Sequence, residues 1–316
     1  MQAVPKETMT IVVPVKDRAT LVLRTLDSIR RQSWRPLKVI VIDNGSSDGT
    51  PESVEAWIAK NSAPGFEVSL EREPVPGPSA ARNCGLEAVD TRLMMFFDSD
   101  DIMLPDHVER VMERFYAGDE PDLVCYRVNY HPINGADTIT HSAGSDKMTA
   151  HICHALLRTQ GYACETALMR RSGGWDVSLF CWEDLEIGTR LLMEARHKVY
   201  IDHIGVDVYA RADSVTGTEF SSRRGEWERA LDRIERNFEN SRHKDRKKWL
   251  RLLSYKRAIL AAQYKREGHK EAAVNLMKRA LGNPLLNPLQ RWYVRGSYLL
   301  ASAGVRGTAF LANLIL

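Results

Sequence analysis

Leu93-Met94-Met95-Phe96-Phe97 runs straight into Asp98-Ser99-Asp100-Asp101, an apolar stretch that ends in three acids within four residues. Five apolar residues suit a strand buried on both faces of a parallel sheet. Open α/β sheets bind ligands beyond the carboxyl ends of their strands, so these acids stand where a ligand would. Crowded carboxylates repel unless something positive lies among them, and a hard divalent cation takes oxygen ligands. A cation that also held a diphosphate would neutralise a leaving group. A solvated acidic loop is the plainer alternative when such a pattern stands alone. Three further stretches could join this chemistry: Asp43 at the end of a second apolar run, Arg82 after a Gly-Pro turn, and the acidic pair Glu183 and Asp184.

The elements that must position these groups alternate along the chain. Thr10 to Val15 reads as a first strand, β-branched and apolar. Lys16-Asp17-Arg18 is the turn after it. Ala19 to Gln32 carries Leu21, Leu23, Leu26 and Ile29 near helical spacing. Leu37 to Asp43 reads as a second strand. A turn-rich loop follows to Thr50, a helix N-cap with Pro51 at the first helical position. Phe66 to Glu71 is a third strand, and Ser79 to Val89 is a short helix with Arg82 in its first turns. Strand and helix alternating every ~25 to 30 residues is the doubly wound pattern. Right-handed crossovers then bring Asp43, the Asp98 cluster and the loop before Arg82 to one edge.

Beyond the acids, Asp122 to Asn129 is expected as a strand, His131 to Lys147 as a loop over the site, and Thr149 to Arg158 as a helix. Cys164 to Arg171 is expected to be extended, and Lys198 to Ile204 and Val206 to Tyr209 to be two short strands. Glu183 and Asp184 open a helix beginning near Trp182, where acids also suit the helix dipole. From Gly225 on the pattern is helical, with Trp227, Leu231, Ile234 and Phe238 along one face and a helical hairpin around Gly268. Gly296 to Leu316 is apolar apart from Arg306 and small polar residues. An arginine in the middle is costly in a membrane span. The alternatives are an interfacial helix, which Arg291, Trp292, Tyr293 and Arg295 would suit, or a helix docked on its own domain.

The chain's 316 residues, 44% apolar and 27% charged, suffice for one large α/β domain and a smaller appendage. Five cysteines, odd in number and without a C-x-x-C, argue against a disulfide framework and a zinc site, and fit a reducing compartment. Met1 to Thr8 shows no basic segment followed by an apolar one, so no secretory signal is read there and a cytoplasmic location is expected. The net charge of +3 hides an asymmetry. Residues 223–316 hold 21 Lys/Arg and 8 Asp/Glu, or +13, whereas residues 1–222 hold 23 and 33, or −10. An acidic half joined to a basic tail points to two surfaces with different partners.

In order and spacing these stretches resemble family 2 glycosyltransferases with the GT-A fold. The residues that carry the resemblance are Val12 to Arg18, Val41 to Thr50, Gly77 to Gly85, Phe97 to Asp101, and Gly174-Trp175-Asp176 followed by Trp182-Glu183-Asp184. It covers about Met9 to Val215. The resemblance implies a GT-A type doubly wound mixed sheet, a nucleotide-sugar-binding Rossmann-like half plus an acceptor half, with a C-terminal α-helical extension. The implied domains are a catalytic domain over 1–222 (9–130 for the nucleotide-sugar, 131–222 for the acceptor) and a basic helical region over 223–316.

The implied activity is that of a hexosyltransferase, moving a sugar from a nucleotide-sugar, expected to be a UDP-sugar, to an acceptor hydroxyl with inversion. A glycan or lipid-linked acceptor in cell-surface polysaccharide or glycolipid synthesis follows. So does peripheral contact with the inner face of the cell membrane through the basic tail, with no nucleic-acid partner. Residue by residue, Pro14, Val15 and Asp17 would wall the base, and Asp43 would accept from base or ribose. Arg82, Ser99 and Arg211 would meet the nucleotide-sugar. Asp98 would bind ribose or a metal water, and Asp100 would coordinate Mn²⁺ or Mg²⁺. Asp184 matches the general base, with Glu183 as the alternate. Trp175, Asp176 and Trp182 would line the acceptor pocket, and His203 would be at most a metal ligand. Two other classes stay open: a nucleotidyltransferase, which usually has a glycine-rich basic loop after its first strand, and a non-catalytic nucleotide-sugar sensor or scaffold.

Overall fold

The computed structural model describes residues 7–134, 138–139, 146–211, 219–305 and 307–316, without the side chains of residues 310 and 313. Much of the loop expected between His131 and Lys147, the last residues of the resemblance before Val215, and Arg306 lie outside the described residues.

Among the described residues, nine strands form one mixed sheet. The chain builds β1 (Met9–Val15), α1 (Leu21–Arg30), β2 (Leu37–Asp43), α2 (Thr50–Asn61), β3 (Phe66–Arg72), α3 (Pro78–Ala88) and β4 (Leu93–Phe96). Then come β5 (Ile102–Met103), α4 (His107–Phe115), β6 (Leu123–His131), β7 (Thr138–Ile139), α5 (Lys147–His154), β8 (Tyr162–Glu165), α6 (Thr166–Arg171), α7 (Glu183–Glu194) and β9 (Lys198–Tyr209). Helices α8 (Glu226–Asn240), α9 (Arg246–Arg266), α10 (Lys270–Leu281), α11 (Pro288–Ser302) and α12 (Ala312–Ile315) complete it. Sheet order is β3-β2-β1-β4-β8-β6-β9-β5, with β7 beside β6. Strands β3, β2, β1 and β4 are mutually parallel. β8 runs antiparallel to both β4 and β6, so β6 returns to the direction of β4, and β9 follows it. The carboxyl ends of β1, β2, β4, β6 and β9 therefore share an edge.

The core follows from composition. β1 and β4 are buried at every residue, because helices cover both faces of a parallel sheet. Ile11, Val13, Val39, Val41, Met95 and Phe97 pack with Leu26, Val108 and Met112 of the helices.

Several local expectations gave way. Thr50 is the first residue of α2, not its cap. Gly49 caps the helix at φ 81°, and the Thr50 hydroxyl turns back to the Asp48 carboxylate. The two short strands near the end of the sheet are one, β9, because Gly205 sits inside it beneath the His107 ring. A Cβ there would fall 1.8 Å from His107 Nδ1. Cys164 to Arg171 is extended only to Glu165. The Thr166 N–H then bonds the Arg92 carbonyl and the chain turns into α6. The helix expected from Thr149 to Arg158 starts two residues earlier, capped by Asp146, and ends at His154, where Ala155 turns out of it at φ 51°.

The chain divides into two compact units: Met1–His141, Leu157–Phe180 and Glu194–Ala210 in one, and Ser142–Leu156, Cys181–Met193 and Arg211–Leu316 in the other. The first holds every described strand. The second is helical and includes α5 and α7 together with α8 to α12.

Candidate active site

In the sheet unit the apolar run of β4 ends where the sequence turns acidic. The Phe97 N–H still bonds the Val12 carbonyl, at 2.9 Å, and the chain then leaves the sheet. Asp98 meets Arg82 of α3, whose Nη2 lies 3.0 Å from Asp98 Oδ1. Gln160 Nε2 donates to Asp98 Oδ2 at 2.7 Å and also to the Asp101 carboxylate. Asp101, 2% exposed, accepts from the Tyr209 N–H at 3.0 Å, which ties the acidic turn to the end of β9. Asp100 faces Arg18, with Nε 3.9 Å from Oδ2. Burial pushes the Asp101 carboxyl well above the usual carboxylate range, and the neighbouring Asp98 and Asp100 push it the same way.

Arg82 is itself held from behind. Its guanidinium lies 4.4 Å over the Trp175 ring, which meets Phe96 edge-on at 5.3 Å. The Asn83 side chain grips the Trp175 backbone twice, accepting from its N–H and donating to its carbonyl, both at 2.8 Å. Gly174 has to be small here. Its φ is 65°, and a Cβ would come within 2.8 Å of Asn83 Oδ1. Trp175 is 2% exposed, with its ring packed against Arg82 and Phe96. Asp176 caps the next turn, accepting from the Ser178 N–H and hydroxyl.

Pro14 and Val15 close β1, paired with Ile42 and Asp43 of β2. Asp17, at φ 50°, accepts from the Ser47 N–H at 2.7 Å, and its own N–H donates to the Ser46 hydroxyl at 2.9 Å. Buried Asp43 is approached by the Ser46 N–H at 3.3 and 3.4 Å. Asn44 fastens the facing loop, donating to the carbonyls of Glu73 and Val75 and accepting from the Gly77 N–H. Pro14, Val15, Asp17, Asp43, Arg82, Asp98, Ser99 and Asp100 thus come to one edge of the sheet.

Sequence reasoning missed Gln160, Asn44 and Arg18 as contributors. Arg18 and Asn44 lie inside the stretches Val12 to Arg18 and Val41 to Thr50 that carry the family resemblance. Gln160 lies about 60 residues from the acids it joins and has no local signal. It also missed His131 and Asp207, 3.0 Å apart at the ends of β6 and β9, with Asn129 donating to the same carboxylate oxygen. His203 stacks on His107 at 5.6 Å, and burial lowers its pKa.

In the helical unit, Glu183 and Asp184 form the first turn of α7. Asp184 Oδ1 accepts from the Leu185 N–H at 2.7 Å. Trp182 enters that helix at φ 53°, edge-on to Trp227 at 5.0 Å and to Phe220 at 6.2 Å, with Lys256 Nζ 4.9 Å from its ring. Glu186 is fully buried, held by Arg190 and by Asn237, which donates at 2.7 Å. Arg211 stands at the start of the last segment of this unit.

Asp98, Asp100 and Asp101 carry oxygen donors of the kind a hard divalent cation takes. Among the described residues no three His, Cys, Asp or Glu side chains surround one point. A bound ion would therefore complete its shell with diphosphate oxygens and water, as Mg²⁺ commonly does.

The family model for glycosyl transferase family 2 matches residues 10–177, just over half of the chain. Mycobacterium tuberculosis pre-mycofactocin glycosyltransferase is 27% identical over 211 residues, which are 62% of this chain and 43% of that protein. The Rhizobium meliloti succinoglycan biosynthesis protein ExoO is 34% identical over 107 residues, 34% of this chain and 29% of that protein. The chain thus spans less than half the length of either relative. Among solved structures, Staphylococcus aureus TarS 1–349 in complex with UDP-GlcNAc superposes with a TM-score of 0.68 at 14% identity, covering 97% of this chain and 92% of that one. The mannosyltransferase PcManGT from Pyrobaculum calidifontis, in complex with GDP-Man and Mn²⁺, gives 0.52 at 18% identity, covering 95% and 86%. At such identities the structures establish the fold, a GT-A type mixed α/β sheet with a helical C-terminal region. With the family model across the strand-end motifs, the conclusion is that the chain belongs to glycosyl transferase family 2.

Proposed function

We propose that this protein transfers a sugar from a nucleotide-sugar, a UDP-sugar foremost, to an acceptor hydroxyl with inversion, in the synthesis of a cell-surface polysaccharide or glycolipid. The observation that carries the reading is the Arg82–Asp98–Gln160–Asp101 network at the end of β4, inside the matched family region. The succinoglycan relative and the UDP-GlcNAc complex of TarS support the choice of product and donor.

In this reading Pro14, Val15, Asp17 and Asp43 hold the base and ribose. Arg82, Ser99 and Arg211 bind the diphosphate side. Asp100, with Asp98 beside it, would hold Mn²⁺ or Mg²⁺, and the ion would supply charge neutralisation for the departing diphosphate. Asp184 takes the proton of the acceptor hydroxyl as its oxygen attacks the anomeric carbon, with Glu183 as the alternate base. The bond to the nucleoside diphosphate breaks on the opposite face. Trp175 acts through Arg82, and Asp176 and Trp182 border the acceptor. Residues 9–130 serve the donor, 131–222 the acceptor, and 223–316 the location of the enzyme at the inner face of the cell membrane.

The test is nucleoside diphosphate release from a panel of nucleotide-sugars, with Mn²⁺ or with chelator. Release should depend on the metal and fall at least ~1,000-fold in Asp100→Ala, or about 4 kcal/mol of barrier. Release that ignores chelator and Asp100→Ala removes the reading. Full turnover in Asp184→Asn moves the base elsewhere.

A further inference from the structure

Helix α11 buries one face and leaves the other bare. Gln290, Tyr293, Val294 and Ser297 face inward. The Tyr293 hydroxyl donates to the Thr308 carbonyl at 2.5 Å, which holds the helix to the turn after it. Leu289, Trp292, Leu299 and Leu300 are all exposed, Trp292 at 72% and Leu299 at 59%. At 100° per residue these four fall within an arc of about 100°, so they make one continuous stripe. Monomeric surfaces scatter their large apolar residues, and a stripe led by a tryptophan marks an interaction surface.

Charge selects the partner. No Asp or Glu follows Glu271, whereas Lys278, Arg279, Arg291, Arg295 and Arg306 do. Arg291 turns inward and donates to the carbonyls of Leu281, Asn283 and Leu286. Arg295 stays exposed beside the stripe and makes no ion pair among the described residues. At the far end of the helix, Ala301, Gly304 and Val305 line a cavity of about 260 Å³ together with Arg266, Gln263 and Thr308. The acid nearest Arg266, Glu267, is engaged by Gln263 and by the N–H groups of Phe220 and Ser221. An apolar stripe that includes a tryptophan, with cations beside it and no acid on the helix itself, matches the interface of an anionic lipid bilayer. No helix among the described residues is long and apolar enough to cross a membrane. The chain also breaks after α11, with Gly304 at φ 85°.

We propose that the outer face of α11 lies in the interface of an anionic membrane, with Leu289, Trp292, Leu299 and Leu300 among the acyl chains and Arg295 and Arg266 at the phosphates. This rests on the membrane-associated reading above and identifies the surface responsible.

The experiment is co-sedimentation of the full chain with vesicles of phosphatidylglycerol and phosphatidylcholine, beside vesicles of phosphatidylcholine alone. Binding to the anionic vesicles should be at least tenfold stronger. The exposed double variant Trp292→Ser/Leu299→Ser should lose at least tenfold of it, and Arg295→Gln/Arg266→Gln should lose the anionic preference. Equal binding by the wild type and the first variant overturns the proposal. So does self-association that this variant abolishes without any vesicle binding, because the stripe would then seat a second copy. Nucleoside diphosphate release measured without vesicles should be unchanged in both variants. Failure of that activity in the wild type would sink the transferase reading and leave the vesicle result standing.

Discussion

Around the sheet, buried charge gathers at the carboxyl ends of the strands, where three acids (Asp98, Asp100 and Asp101) face two cations, Arg82 and Arg18. Among the C-terminal helices it sits between helix faces, where Arg257 and Arg279 share Asp232 and Glu235. The second pairs two acids with two cations about Arg257, whose side chain is 2% exposed, while Asp232 and Arg279 reach solvent at 31% and 45%. The first holds three acids in one turn, with Asp101 buried and the side chains of Asp98 and Asp100 30% and 21% exposed. Solvent reaches both clusters, so exposure does not separate them. Crowding of like charge does: between the helices two acids alternate with two cations, whereas in the turn Asp98 and Asp100 add to burial in raising the Asp101 carboxyl. Ion pairs alone therefore do not tell the two regions apart.

Arg257→Ala offers the harshest test of the helical cluster. Removing it leaves Asp232 and Glu235 with Arg279 alone, the more exposed of their two partners, and should cost about 3 kcal/mol, the low end for breaking a buried pair, read as a lowered urea midpoint. A loss under ~1 kcal/mol would mean the cluster is not what holds α8 and α9 together. At the sheet edge the matching substitution is Gln160→Ala. It leaves Asp98 and Asp101 without their shared donor, and nucleoside diphosphate release should fall roughly 10- to 100-fold, about 1.4–2.7 kcal/mol of barrier. Gln160→Glu, adding a fourth carboxylate, should be worse, and wild-type rates in both would show that the network is only structural.

The buried histidines separate the units by pH. His107 in the sheet unit is held neutral down to about 3, and His151 in the helical unit to about 4, chiefly because both are buried. Unfolded chain takes up these protons below about pH 6.5, while the folded protein resists. Stability is therefore lost as pH falls from 6.5, by about 1.4 kcal/mol per pH unit for each group. His107→Phe should flatten that slope by one proton with little loss at pH 7.5, because neither ring nitrogen has a hydrogen-bond partner among the described residues. His151→Phe should flatten it too but cost stability at pH 7.5, since His151 Nε2 lies 2.9 Å from the Leu185 carbonyl. Equal costs at pH 7.5 would erase the distinction. The smallest effect belongs to the exposed pair Lys38–Asp90, 2.8 Å apart. Lys38→Ala should move the unfolding midpoint by less than ~1 kcal/mol, and a larger loss would make that surface pair part of the fold's support.

Local pattern was enough to read the strands that carry the donor edge. β1, β2 and β4 are apolar runs ended by turn residues or acids, and that contrast survives any tertiary context. It was not enough for β9, where one glycine under His107 decides between one strand and two, or for Cys164 to Arg171, where the Thr166 N–H finds the Arg92 carbonyl and the strand becomes a helix. Trp175 was visible as a motif residue, yet its place beneath Arg82 depends on Asn83, 92 residues away in the chain, gripping its backbone. The stretch from Gly296 to Leu316 read as one helical segment. The structure turns it at Gly304 and sorts its neighbours, with Trp292 and Arg295 outward and Tyr293 and Arg291 inward.

The sequence by itself determined the family, the doubly wound sheet and the acids at its edge, because each rests on short-range pattern: burial periodicity, turn residues and the spacing of motifs. Only the tertiary structure decided which acids are compensated, since Gln160 and Tyr209 reach Asp101 from 59 and 108 residues away. It alone grouped α5 and α7 with the C-terminal helices, through contacts such as Lys248 Nζ to Asp146 at 2.6 Å and Asn237 to Glu186. Charge compensation and helix packing are properties of neighbours in space, and one-dimensional spacing does not carry them.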